Sequence, residues 1–219
     1  MCNSSCIVFG TVNLVNEKIN DKSIIEIGSL DVNGSLRPIL EAMGPKEYIG
    51  VDIQKGPGVD VICKAEDLIN HFGKERFDIV LSTEMLEHVK DWRKIVSNIK
   101  NICKPGGIIL ITTRSKGFPY HGYPYDFWRY EEDDMRKIFS DCLLERIEKD
   151  KTLPGIFLKL RKPISFKENN LTQYSLYSVI ESREIKELTE KQIEKFEKWG
   201  KWSLFWKQKN KNFYDFLKR

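Results

Sequence analysis

The stretch Arg114 to Tyr130 gathers His121, Tyr123, Tyr125, Asp126, Trp128 and Arg129 among glycines and prolines. An imidazole close to a carboxylate can take a proton from a hydroxyl near neutral pH. Aromatic faces stack on the C–H face of a sugar or another polar ring, while Asp and Arg take its hydroxyls or acidic groups. His121 and Asp126 are therefore candidates for catalysis. Tyr123, Tyr125, Trp128 and Arg129 are candidates for holding an acceptor, with lid packing as the alternative. His88, inside Leu86-Glu87-His88-Val89, is the third catalytic candidate; its alternative is a structural bond to backbone. The remaining histidine, His71, is given no role.

A second group of residues is suited to holding a ligand. Glu26 stands on an apolar stretch with no obvious partner, and a ligand carrying an ammonium group would supply one. Gly28 allows a sharp turn and a close approach of the ligand. Asp52 comes 24 residues later, where an acid at a strand end accepts both hydroxyls of a ribose. Turn glycines and a strand-end cap are the structural alternatives. A dinucleotide site would want glycine where Leu30 and Asn33 stand, and the acids Glu26 and Asp31 would repel a pyrophosphate.

These residues need a frame, and the hydropathy pattern supplies one. Short apolar runs at 23–27, 47–52, 59–63, 77–82, 108–112, 143–148 and 155–161 read as strands. Helices are expected over 34–43, 65–72, 92–102 and 131–139. The alternation predicts an α/β fold: a Rossmann-like, seven-stranded, mostly parallel sheet with helices on both faces. In such sheets ligands bind at the carboxyl ends of the strands, where strand order reverses. The loops after Ile27, Asp52, Cys63, Ser82 and Thr113 should line the site. Residues 1–22 are expected to pack on this domain, which spans 23–163. Residues 164–219, rich in Lys, Glu and Asn with a late aromatic cluster, read as a mainly helical C-terminal extension.

On five of its segments the chain resembles the class I S-adenosylmethionine (SAM)-dependent methyltransferases, specifically the type 11 methyltransferase-domain family. They are Ile24–Ser29, Tyr48–Asp52, Ala65–Leu68, Phe77–Val89 and Lys104–Thr113. The resemblance spans roughly residues 22–140 and implies SAM as cofactor. It implies that Glu26, Gly28 and Ser29 hold the methionine portion, Asp52 the ribose, and Ile53 the adenine face. Ala65 and Glu66 would meet the adenine edge, and Ser82 would lie at the strand end that closes over the methionine. Two departures stand out: Ser29, Leu30 and Asp31 replace further glycines, and Lys64 replaces an acid before Ala65.

The implied activity is in-line methyl transfer, expected to be O-methylation of a small polar or glycan-type acceptor, since the aromatic segment looks like that of methyltransferases from glycan and cell-surface polysaccharide pathways. A non-catalytic SAM-binding partner module and an RNA methyltransferase are the alternatives. Nucleic acid is disfavoured: the net charge is only +4 from 36 basic and 32 acidic residues, without a basic stripe. No Asn-Pro-Pro-Tyr-type motif follows Ser82. No apolar run is long enough to span a bilayer, and Met1–Cys6 has no signal-peptide character; a cytoplasmic protein is expected. The basic aromatic end leaves peripheral membrane contact and oligomerisation open. Of five scattered cysteines only Cys2 and Cys6 are close, so free thiols and no metal are expected.

Overall fold

The computed structural model describes residues 3–122 and 125–200. The chain opens with helix α1 (Ser4–Leu14), whose N-cap Asn3 accepts from the Cys6 amide at 2.9 Å. Then follow β1 (Ser23–Ile27), α2 (Arg37–Glu41), β2 (Glu47–Asp52) and β3 (Val61–Ile62). A 3-10 turn (Ala65–Asp67) leads into α3 (Leu68–Phe72) and β4 (Phe77–Thr83). A second 3-10 turn (Leu86–His88) precedes α4 (Trp92–Ile102), β5 (Cys103–Arg114) and β6 (Trp128–Arg129). Next are α5 (Glu132–Ile138), β7 (Leu143–Lys149), β8 (Gly155–Arg161), β9 (Leu176–Ser178), β10 (Arg183–Ile185) and α6 (Glu190–Lys195), with a π turn over Phe196–Gly200.

Seven strands form one sheet in the order β3-β2-β1-β4-β5-β8-β7. The first five run parallel, and β8 runs antiparallel to both its neighbours. All five residues of β1 are buried, as expected of a central strand covered on both faces. The alternation of side chains sorts the core into two halves. Ile24, Ile79, Leu81 and Leu110 face Phe9 and Leu14 of α1 and Leu40 of α2. Ile25, Ile27, Val80, Ile109 and Ile111 face α3, α4 and α5. Strand order reverses between β1 and β4, so their carboxyl ends open the crevice in which such sheets bind ligands.

Two elements differ from the sequence expectation. Residues 1–22 were expected only as a packing segment, yet they contribute a true helix. The outer face of α1 carries exposed Val8 and Val12 rather than polar residues, so no helical alternation marks it. Gly10 permits the close approach: a Cβ there would stand 2.4 Å from Leu36 Cδ1. The extension, expected to be mainly helical, instead begins with a β-ribbon. A strand cannot bond its own backbone groups, so those of β6 need a neighbour; β9 supplies it, pairing Trp128 with Ser178 and Arg129 with Tyr177, and β10 completes a three-stranded sheet. Helix appears from Glu190, capped by Thr189 and Gln192 in a reciprocal box. The basic aromatic stretch expected to extend it lies, from residue 201 onward, outside the described residues.

Candidate active site at the strand ends

At the end of β1, Gly28 turns with φ +81°, and a Cβ there would fall 2.6 Å from Met85 Cγ. The amides of Gly28 and Ser29 both donate to the Val51 carbonyl, at 2.8 and 3.1 Å. Where the resemblance leads one to expect more glycine, Asp31 closes the loop by accepting from the Gly34 amide at 2.8 Å. Glu26 is buried, and here the sequence expectation needs correcting: its carboxylate has a protein partner. The Tyr48 hydroxyl on β2 donates to Glu26 Oε2 at 2.8 Å. Burial nevertheless outweighs that hydrogen bond and lifts the Glu26 carboxyl to about 7.

Asp52 ends β2 and accepts from the amides of Leu30 (3.3 Å) and Gln54 (3.0 Å). A carboxylate offers about four acceptor positions, so roughly two remain for ribose hydroxyls. Ile53 beside it is 55 % exposed, an apolar face available for a base to cover. Ala65 and Glu66 sit on the 3-10 turn that Asn98 of α4 pins through their carbonyls, at 2.7 and 2.9 Å. The hydroxyls of buried Ser29 and Ser82 have no hydrogen-bond partner among the described residues. A buried orphan hydroxyl costs free energy until something bonds it. A cationic amino-acid end, a ribose and an apolar base all find matching chemistry here, so this donor half fits SAM.

The other half of the site lies beyond β4. Glu87 and His88 ride on the turn Leu86–His88, and the aromatic segment laces that turn down. The Phe127 amide donates to the Glu87 carbonyl at 2.8 Å, and the Tyr130 hydroxyl to the Leu86 carbonyl at 3.1 Å. The Trp128 indole donates to the Val89 and Lys90 carbonyls at 2.9 and 3.2 Å. His88 Nδ1 bonds the Tyr125 carbonyl. A carbonyl only accepts, so Nδ1 carries the hydrogen, and in the neutral ring the lone pair is on Nε2. His88 Nε2 and Glu87 Oε1, 4.0 Å apart, both lack hydrogen-bond partners among the described residues.

His121 joins this pair from the aromatic segment. Its ring lies 4.8 Å from that of His88, and its Nε2 is 3.7 Å from Glu87 Oε1. Asp126 Oδ2 accepts from both His121 Nδ1 (2.9 Å) and the His121 amide (3.0 Å). Arg129 clamps the same carboxylate with both terminal nitrogens, Nη2 at 2.6 Å from Oδ2. Burial opposes charge on each member, but the pairings win. Glu87 is held down at about 2 by His121 and His88, and Asp126 well below the carboxylate range by Arg129 and His121. The two carboxylates raise His121 to about 9. With both acids ionised, His121 therefore already carries its proton at neutral pH.

His88, His121 and Asp126 are thus brought together, whereas the expected acceptor-binding set is divided. Trp128 and Arg129 are buried, their polar groups spent on Val89, Lys90 and Asp126; as stacking or hydroxyl-binding groups they are corrected to supports beneath the site. Tyr125 is only half-buried, its ring stacked on Phe127 at 5.2 Å. Tyr123 lies outside the described residues. Sequence reasoning assigned nothing to Glu87, although a carboxylate between Leu86 and His88 at a strand end was a readable signal. It also passed over Tyr48 and the buried ion pair of Glu84 with Arg114, which closes the site against α1 through Cys6 and Thr112.

Comparison with known proteins adds to this geometry. A family described as a methyltransferase domain matches residues 11–148. A ubiquinone biosynthesis O-methyltransferase of Coxiella burnetii is 37 % identical over 110 residues, 50 % of this chain and 43 % of that protein. A phosphoethanolamine N-methyltransferase of Caenorhabditis elegans is 39 % identical over 51 residues, 23 % of this chain and 12 % of that one. The chain spans less than half the length of these curated relatives. Among solved structures, a 1,6-didemethyltoxoflavin-N1-methyltransferase of Burkholderia thailandensis with bound S-adenosylhomocysteine superposes with TM-score 0.57 at 14 % identity, covering 73 % of this chain and 77 % of that one. These relatives methylate both oxygen and nitrogen by name, so likeness alone does not select the acceptor atom.

Proposed function

Because the chain belongs to the methyltransferase-domain family, we propose that it moves the methyl group of SAM onto a hydroxyl oxygen of a small polar or glycan-type acceptor. One observation carries the choice of oxygen. Among the described residues, His88 Nε2 and Glu87 Oε1 present two buried acceptor atoms without a hydrogen bond, Oε1 having only the longer ion pair to His121 at 3.7 Å. A hydroxyl is the acceptor group that must lose a proton as it attacks, and two such atoms favour a donor hydrogen between them.

SAM supplies a methyl group already activated by its sulfonium, so the protein's tasks are alignment, exclusion of water and handling one proton. Glu26 takes the ammonium end and Asp52 the ribose, which fixes the donor at the ends of β1 and β2. Glu87 and His88 orient the acceptor hydroxyl and draw its hydrogen away from the attacking oxygen. His121, held between Glu87 and Asp126, keeps the Glu87 carboxylate ionised and aimed. Trp128 and Tyr130 hold the turn in place, Phe118 packs edge-on against His121, and Tyr125 stacks on Phe127.

A labelled-methyl screen tests the proposal: purified protein, SAM labelled in the methyl group, and matched panels of hydroxyl-bearing sugars, amines and short RNA. Transfer to hydroxyl compounds is expected, with kcat reduced at least 100-fold in His88→Ala while SAM affinity changes less than threefold. Transfer confined to amines or RNA overturns the acceptor assignment. Failure of the wild type to bind SAM in calorimetry overturns the donor site as well.

A further inference from the structure

Glu87, His88 and His121 do more than surround a hydroxyl. One oxygen and two imidazole nitrogens lie together, all within 4.8 Å of one another. Each of the three has its remaining polar atom tied elsewhere. Glu87 Oε2 accepts from the Thr113 hydroxyl at 2.9 Å. His88 Nδ1 is committed to the Tyr125 carbonyl, and His121 Nδ1 to the Asp126 carboxylate at 2.9 Å. Protein metal sites are built this way: a ligating histidine gives its other nitrogen to a carboxylate or a backbone carbonyl, which fixes tautomer and ring plane. Among the described residues, the fully buried Glu87 Oε1 and His88 Nε2 make no hydrogen bond, and Oε1 has only the 3.7 Å ion pair to His121.

We propose that Glu87 Oε1, His88 Nε2 and His121 Nε2 hold a divalent first-row transition cation on which the acceptor hydroxyl is seated. Two imidazoles and one carboxylate suit zinc, cobalt, iron or manganese; magnesium prefers an all-oxygen shell. Three protein ligands leave a coordination position open, as catalytic sites require. The Glu87 oxygen stands 3.7 and 4.0 Å from the two nitrogens, against about 3.3 Å between neighbouring ligands of a tetrahedral site. The three ligand atoms span up to 4.8 Å, so they draw in by about 0.5–1.5 Å on binding. In that state His121 Nε2 has given up its proton, which leaves to solvent, and bonds the cation through the freed lone pair. The ligands come from two segments 33 residues apart, which is why no metal-ligand spacing is visible in the sequence.

This inference deepens the O-methylation reading: the cation would make the bound hydroxyl acidic enough to give its proton to solvent water before the oxygen attacks, and the Glu87 and His88 acceptor atoms are spent on the cation. Metal binding itself stands apart from that reading and is tested apart from it. The full chain is stripped with a chelator and titrated with cobalt(II), followed by visible absorption, and with zinc(II) by calorimetry. One equivalent should bind, with the ligand-field bands of a nitrogen–oxygen site and without thiolate charge-transfer bands. His88→Ala and His121→Ala should each weaken binding at least tenfold, while His71→Ala leaves it unchanged; SAM affinity reports that each variant is folded. If the wild type binds no equivalent of cation, the proposal is wrong. It is equally wrong if binding survives both histidine substitutions or shows thiolate bands. Should the cation bind as described while hydroxyl compounds stay unmethylated, the acceptor reading fails and the metal site stands.

Discussion

At the scale of single residues, Glu26 sets the most direct prediction. Burial raises its carboxyl to about 7 despite the Tyr48 hydroxyl, whereas an ammonium ligand needs it ionised. Below pH 7 SAM must expel a proton to bind; above it, none. Affinity for SAM should therefore fall as pH drops below about 7, by up to tenfold per unit, and level off above. Calorimetry between pH 5.5 and 8 reads this curve. Glu26→Gln should flatten the curve, and Tyr48→Phe should shift its bend to higher pH by removing a bond that favours the charged form. Gly28 gives a second prediction. An alanine there meets both a φ of +81° and a contact of 2.6 Å with Met85. Strain of this kind costs about 1–3 kcal/mol, and the loop relieves it by withdrawing from the donor. Gly28→Ala should lower the thermal midpoint by several degrees and weaken SAM binding more than tenfold. Unchanged SAM affinity would place the donor away from this turn.

Elements carry the next predictions, and Arg93 on α4 is the clearest case. Its guanidinium donates to the carbonyls of Leu171 (2.8 Å), Lys186 (2.7 Å) and Tyr174, so one side chain stitches three points of the extension to the sheet domain. Arg93→Ala removes charge-assisted bonds worth roughly 2 kcal/mol together in this half-buried setting. Amide exchange over residues 171–186 should accelerate about 30-fold, with β1, β4 and β5 protected as before; uniform acceleration would mean the stitch supports the whole fold. The elements also explain what the sequence disclosed. Strands β1, β4 and β5 are apolar runs because both faces are covered, and such runs are visible in one dimension. Helix α1 was hidden because its outer face carries valines, and β9 and β10 because three-residue strands are too short for a period. On the donor side, Gly28 and Asp52 follow from strand ends alone. On the acceptor side, Trp128 and Arg129 carry the right chemistry for a sugar but spend it inward on Val89, Lys90 and Asp126, and only the three-dimensional path of the chain decides which way a side chain faces.

Across the whole molecule, the boundary at residue 163 is where the sheet domain reads as complete, and the contacts argue against cutting there. Leu171, Leu176, Ile185, Leu188 and Ile193 belong to the same core cluster as Ile25, Val80 and Trp128. Lys100, fully buried on α4, is satisfied in part by Asn169 Oδ1 at 3.0 Å. The Val179 amide donates to the Phe127 carbonyl at 2.9 Å, and β9 pairs with β6. Five buried aliphatic side chains at about 1.5–3 kcal/mol each bring a burial term on the order of 10 kcal/mol as an upper bound, comparable with the entire stability of an ordinary domain. A chain ending at residue 163 should therefore lose its cooperative thermal transition, or melt at least 10 °C below the full chain, by circular dichroism. The loss should fall unevenly. The donor half rests on β1, β2 and β4, which pair with none of the extension's described strands, so stabilising additives that restore folding should restore SAM binding first. The turn carrying Glu87 and His88 is laced through Phe127 and Trp128 to β9, so methyl transfer and cation binding should stay lost. A truncated chain that melts like the full one and still transfers methyl groups would make the extension an appendage; the shared core and the β6–β9 pairing instead make it a support of the turn that carries Glu87 and His88.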